Sequence, residues 1–85
     1  MKVTLIGFKS VDFTDEESGK HVEGISMYLS YPDAGVIGKS SERQFIDKAV
    51  FEGFGVSPEL LGKYVNKDIN VEYNRRGKIA SLTVT

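Results

Sequence analysis

Cysteine is absent from the chain and histidine occurs once, at His21. These two absences exclude a disulfide framework, thiol catalysis and every zinc site built from Cys and His. They also fit a reducing compartment. No run approaches the ~20 apolar residues of a membrane-spanning helix. The opening Met1-Lys2-Val3-Thr4-Leu5-Ile6-Gly7 is too short for the apolar region of a signal peptide, so the chain reads as cytoplasmic, with no membrane partner. A dominant sign of charge is missing too: 11 basic side chains stand against 12 acidic ones, a net charge of −1. A strongly basic balance would argue for nucleic acid on electrostatics alone. Here such a ligand requires the charges to be segregated onto one face, or weak binding by single chains reinforced by assembly.

What is present is an ordinary globular composition, 40% apolar and 27% charged, so the chain is expected to fold without metal or cofactor. Its 85 residues make one domain, 1–85, with a modest core.

Alternation dominates the chain. Val3, Leu5, Val11 and Phe13 fall on odd positions of a first strand, residues 2–14, with polar residues between them. Ile6 and Phe8 break the phase around Gly7, which marks a bulge or bend. Residues 15–20 form a turn, with Gly19 free to take positive φ. In a second strand, about 21–31, Ile25, Met27, Leu29 and Tyr31 alternate with Gly24, Ser26, Tyr28 and Ser30. Pro32, Gly35 and Gly38 keep the next segment irregular. Residues 42–51 fit a strand through Phe45, Ala49 and Phe51, or a helix through Phe45, Ala49 and Val50; the strand is preferred. Ser57-Pro58-Glu59 begins a short helix ending near Tyr64: Ser57 is a capping residue, Pro58 suits the first helical position, and Glu59 complements the helix dipole. A last hairpin places Ile69, Val71 and Tyr73 on one strand and Ala80, Leu82 and Val84 on the other, alternating with Ser81, Thr83 and Thr85 around the turn Asn74-Arg75-Arg76-Gly77. Ile79 is out of phase, which implies a bulge or a partly exposed isoleucine.

The order strand, strand, strand, helix, strand, strand predicts an all-β domain with small α content: a five-stranded OB-fold Greek-key barrel, with one short helix between strands three and four. An SH3-like small barrel is the alternative and lacks that helix. Nothing assembles into a catalytic or metal-binding set. His21 is a lone residue beside a turn, Asp15-Glu16-Glu17 lacks the spacing of a calcium loop, and Gly53-Phe54-Gly55 lacks the lysine of a phosphate loop, so no enzyme activity is expected.

Three features point to binding. Arg75, Arg76 and Lys78 make a positive lobe at the last hairpin tip, although charge at such a tip also simply aids solvation. Tyr28 and Tyr31, with Phe45 and Phe51 nearby, offer faces on which bases stack; phenylalanines in so small a chain are more often core, and Tyr73 reads as core as well. Tyr28 is the best placed, since it alternates with the apolar Met27 and Leu29. Lys9, Lys20, Lys39, Arg43 and Lys48 flank that surface, as they would on any solvated face.

The element order, the long first hairpin and the closing strand–Asn74-Arg75-Arg76-Gly77-Lys78–strand hairpin resemble the filamentous-phage and mobile-element single-stranded DNA-binding proteins. That resemblance implies an OB-fold homodimer that coats single-stranded nucleic acid with little sequence preference. It implies Tyr28 and Tyr31 as stacking residues and Arg75, Arg76 and Lys78 as phosphate partners, to which the residue reading adds Arg43 and Lys48. The clear Ser57-Pro58 helix and the acidic turn at 15–17 depart from that pattern. A protein–protein interaction module on the same scaffold is the alternative function, and an accessory module of an enzyme a third.

Overall fold

The computed structural model describes residues 1–84; the expected place of Thr85 on the polar face of the last strand lies outside them. Five strands form one antiparallel sheet: β1 (Lys2–Thr14), β2 (His21–Pro32), β3 (Lys39–Asp47), β4 (Asp68–Tyr73) and β5 (Ile79–Thr83), in the spatial order β3-β2-β1-β4-β5. Two short helices, α1 (Lys48–Gly53) and α2 (Pro58–Gly62), lie between β3 and β4.

β1 organises the sheet. Its first residues pair with β4, at Lys2↔Asn70, Val3↔Ile69 and Thr4↔Asp68. From Thr4↔Ser30 to Thr14↔His21 it pairs with β2, but the register slips between Leu5 and Gly7, leaving Ile6 unpaired and exposed. The Leu5 backbone turns at that point to the segment before β4, its N–H donating to the Lys67 carbonyl (2.9 Å) and its carbonyl accepting from the Asn66 N–H (2.6 Å). An extra residue in one strand reverses the facing of every side chain beyond it. Before the slip, Val3 and Leu5 face the core; after it, Phe8 faces the core, and Lys9, Val11 and Phe13 face outward. The alternation expected to place Val11 and Phe13 with Val3 and Leu5 is therefore reset at Ile6.

The core gathers Val3, Leu5, Met27, Leu29, Ile69 and Val71 from the strands and Leu61 from α2, with Ile25, Ile46, Phe51 and Leu82 around them. The ambiguous period of 42–51 has a simple cause, because the segment holds both structures. β3 ends at Asp47, whose carboxylate accepts from the Ala49 N–H (3.0 Å) and caps α1. Phe51 is buried by α1 as a helical residue, Ile46 is the buried apolar residue of β3, and Phe45, for which a core position was the stronger expectation, is 37% exposed. Ser57 caps α2 as expected, its Oγ accepting from the Leu60 N–H (3.1 Å), and the helix covers Phe8. In place of the single expected helix there are two.

The sheet is open, not the closed barrel expected from the element order. β3 and β5 are its edges, and among the described residues no backbone ladder joins them. Side chains bridge that seam instead. The Gln44 Nε2 donates to the Gly77 carbonyl (3.1 Å) and to Glu42 (3.3 Å), and the Tyr73 hydroxyl donates to Glu42. Beside the seam a second register slip pairs Tyr73 with Ile79 and Glu72 with Ser81, so Ile79 turns inward and Ala80, expected on the core face, is exposed.

The three-stranded arm β1–β2–β3 runs on beyond the core. It makes the molecule 41 × 27 × 22 Å, with a radius of gyration of 13.7 Å, against about 12 Å for a rounder domain of this length.

Burial, reinforced by the hydrogen bond to Glu42 and its charge, holds the Tyr73 hydroxyl well above the ordinary phenol value of 10.0. The folded chain therefore binds this proton more tightly than the unfolded one. Its contribution is complete below pH 10 and is lost as pH rises further. Urea denaturation at pH 8 and pH 11 is expected to show a loss of stability for the wild type that is smaller in Tyr73→Phe.

Candidate functional site

The outward side of the arm is built in rows by strand register. Gly7, Tyr28 and Arg43 make one row, Lys9, Ser26 and Phe45 the next, then Val11, Gly24 and Asp47, and finally Phe13 and Val22. Lys9, Val11, Phe13, Val22, Ser26, Arg43 and Phe45 line an open groove of about 560 Å³ on this side. Phe13 is 52% exposed and Phe45 37%. The Phe45 ring lies across Gly24: a Cβ at that position would meet the Ile46 carbonyl oxygen and stand 2.7 Å from the ring's Cζ. Only glycine lets the ring settle onto the strand in this way.

Charge divides between the two sides of the arm. Asp12, His21 and Glu23 lie on the inward side, where the His21 Nε2 is 2.8 Å from Asp12. Lys48, at the start of α1, donates to Glu23 (3.3 Å), and that hydrogen bond with the Glu23 charge raises the ammonium above its ordinary pKa. Lys48 is thus engaged away from the groove. On the outward side stand Lys9 and Arg43. The ion pairs among the described residues join Met1 to Glu72, His21 to Asp12 and Glu23, and Lys48 to Glu23, so Lys9, Arg43, Arg75, Arg76 and Lys78 have no carboxylate partner. Asp47 ends the outward row but is turned to its capping bond with Ala49. The outward side thus carries Lys9 and Arg43 without carboxylate partners, with Asp47 at the end of its row.

The β4–β5 hairpin tip is held by Asn74, whose Oδ1 accepts from the N–H groups of Arg76 (2.9 Å) and Lys78 (3.1 Å), and by Gly77 at φ 75°. Arg75 and Arg76 project from it, exposed. Lys78 turns toward the arm and lines a second depression with Phe45, Ile46, Asp47, Val50, Asn74 and Ile79.

Of the residues selected from sequence, Arg43 and Lys78 line the two depressions that share Phe45, and Tyr28 faces outward in the neighbouring row, opposite Arg43. Tyr31 lies on the opposite side of β2 from Tyr28, packed against the core. Arg75 and Arg76 sit at the tip beyond the depressions. Of the two exposed rings of the groove, Phe13 is the one that alternation assigns to the core, and Phe45 is a stacking candidate for which sequence favours a core position. The signal that could have found Phe13 was the phase break at Gly7, and for Phe45 it was the capping chemistry of Asp47, which ends the strand.

Among the described residues no group of three or more His, Asp or Glu side chains is placed to hold a metal, and no helix is long and apolar enough to cross a membrane. No family model matches this chain, and no curated protein and no solved structure does so either.

Proposed function

We propose that this chain binds single-stranded nucleic acid, DNA foremost, with little sequence preference, on the outward side of β1, β2 and β3. The observation that carries the reading is the groove in which the exposed rings of Phe13 and Phe45 lie beside Lys9 and Arg43, cations without a carboxylate partner. Every base has a π-face, so stacking on such rings is tolerant of sequence, and cations along the same track neutralise the backbone. A hydrophobic peptide would use the rings and leave the cations idle, whereas a single strand uses both. No cofactor and no catalytic step enters the proposal.

The OB topology belongs to the same reading. Its support is that β1 pairs with both β2 and β4, that the helices sit between β3 and β4, and that side chains of Glu42, Gln44 and Tyr73 bridge the seam where an OB barrel would close. Assembly of two copies is retained as well, supported by the apolar Val36 and Ile37 exposed on the β2–β3 loop. That loop is shaped by Asp33, whose carboxylate accepts from the Gly35 N–H and the Ser40 hydroxyl and is thereby held below its ordinary pKa. The acidic turn at Asp15-Glu16-Glu17, near Phe13, favours the second reading, a protein-interaction face for a basic partner.

Titration with labelled oligothymidylate at several salt concentrations separates these. Lys9→Ala with Arg43→Ala is expected to weaken binding to all single strands alike and to lower the slope of log K against log salt by about 1.4 units, ~0.7 for each lost phosphate contact. Phe45→Ala is expected to cost about 1–3 kcal/mol with the slope unchanged, because it removes a stacking surface and no charge. A wild-type protein without salt-sensitive binding to any oligonucleotide would remove the nucleic-acid reading in favour of the protein-interaction face. Light scattering at tens of micromolar is expected to return twice the chain mass of 9.4 kDa; the mass of a single chain would remove the dimer.

A further inference from the structure

Phe45 borders both depressions. The groove on its one side runs toward Phe13, between Lys9 and Arg43. The depression on its other side runs toward Asn74 and Lys78 at the hairpin tip. We infer that a single bound strand follows one continuous track across the sheet, from Phe13 over Phe45 to Lys78, and takes non-adjacent bases on the two rings. The inference rests on the nucleic-acid reading and concerns how that ligand is held.

Register fixes the spacing of the two rings. Phe13 pairs with Val22, and Phe45 pairs with Ser26, four residues further along β2. That is ~13 Å along the strand and two strand spacings, or ~10 Å, across it, so the two residues stand about 16 Å apart. Neighbouring bases stacked as in a duplex rise only about 3.4 Å, and a strand drawn out to about twice that rise still leaves at least one base between the rings.

The two rings also differ in their support. Phe45 is seated on Gly24 and presents a fixed surface, whereas Phe13 stands more exposed near the end of the arm. Phe45 is therefore the primary stacking position, and Phe13 is reached only by a longer ligand. Cations accompany both halves of the track: Lys9 and Arg43 in the first, Lys78 in the second. Asp47 lines the second half as well, where it caps α1 and keeps its negative charge, so Lys78 is the cation that offsets it there. A ligand that engages both rings and the hairpin tip spans at least about four nucleotides, the lower end of what single OB-type domains cover.

The test is a length series of oligothymidylates, from two to eight nucleotides, titrated against wild type, Phe13→Ala, Phe45→Ala and Phe45→Leu at one low salt concentration. Circular dichroism confirms that each variant is folded. Wild-type affinity is expected to climb steeply up to about four to six nucleotides. Phe13→Ala is expected to leave the dinucleotide unaffected and to remove the gain from longer strands. Phe45→Ala is expected to weaken every length by about 5- to 150-fold. Phe45→Leu keeps an apolar side chain over Gly24 without a π-face and is expected to lose as much as the alanine, which a merely structural role for the ring would not produce. Affinity that stops growing at two nucleotides, or equal losses from Phe13→Ala and Phe45→Ala at every length, would overturn the track while leaving single-strand binding in place. A protein that binds none of the oligonucleotides would overturn the nucleic-acid reading itself.

Discussion

Between Leu5 and Gly7 the register of β1 against β2 slips by one residue, and Ile6 is left without a partner. Everything that distinguishes the two ends of the long strand follows from this slip. Ahead of it, Val3 and Leu5 face the core where β1 pairs with both β2 and β4. Beyond it, Phe8 takes over the core side, and Lys9, Val11 and Phe13 form the outward side of an arm that extends past the core. Without the extra residue, Val11 and Phe13 would lie on the same side as Asp12 and Glu23 do now, and Lys9 would stand apart from Arg43. Bulges commonly re-aim side chains beside a site; here one assembles a face of two rings and two cations.

The other constraints hold that face in place. Asp47 ends β3 and starts α1, so Phe45 and Ile46 stay extended, with one outward and one buried, while Phe51 completes the core from the helix. The side-chain seam of Glu42, Gln44 and Tyr73 brings the β4–β5 hairpin against β3 and carries Lys78 to the edge of Phe45. Charge follows the same division. Asp12, His21 and Glu23 are on the inward side of the arm, where Glu23 also pairs with Lys48, so a chain of net charge −1 still presents Lys9 and Arg43 without carboxylate partners on its outward side, with Asp47 at the end of its row.

Much of the fold was legible because its signals are local. The turn glycines Gly19 and Gly77 do adopt positive φ, the Ser57-Pro58 start of α2 carries its own capping chemistry, and Ile25, Met27 and Leu29 keep one phase throughout β2. The failures lie where two signals overlap or where the decisive partner is distant. The bulge at Ile6 was visible as a break in phase, but which face Val11 and Phe13 then occupied depended on pairing with β2. Residues 42–51 hold half a strand and half a helix, and a single period fitted to both is ambiguous by construction. Ile79 and Ala80 exchanged places through a second slip opposite Glu72 and Tyr73. How the edges β3 and β5 meet depends on contacts between residues more than thirty positions apart, as at Gln44 and Gly77 and at Glu42 and Tyr73. The candidate site was the least legible: Arg43 and Lys78 line its depressions, but alternation put Phe13 in the core and favoured a core position for Phe45.

A ligand held as proposed contacts the outward side of the arm and the depression leading to Lys78, and leaves the inward side untouched. Methyl and aromatic resonances in nuclear magnetic resonance spectra report this directly during a titration with unlabelled oligothymidylate. The rings of Phe13, Phe45 and Tyr28 and the methyls of Val11 and Val22 are expected to shift together as ligand is added, while Tyr31, Ile25 and Met27 on the inward side stay in place. Shifts confined to the inward side or to the β2–β3 loop would contradict it, as would a spectrum that does not change.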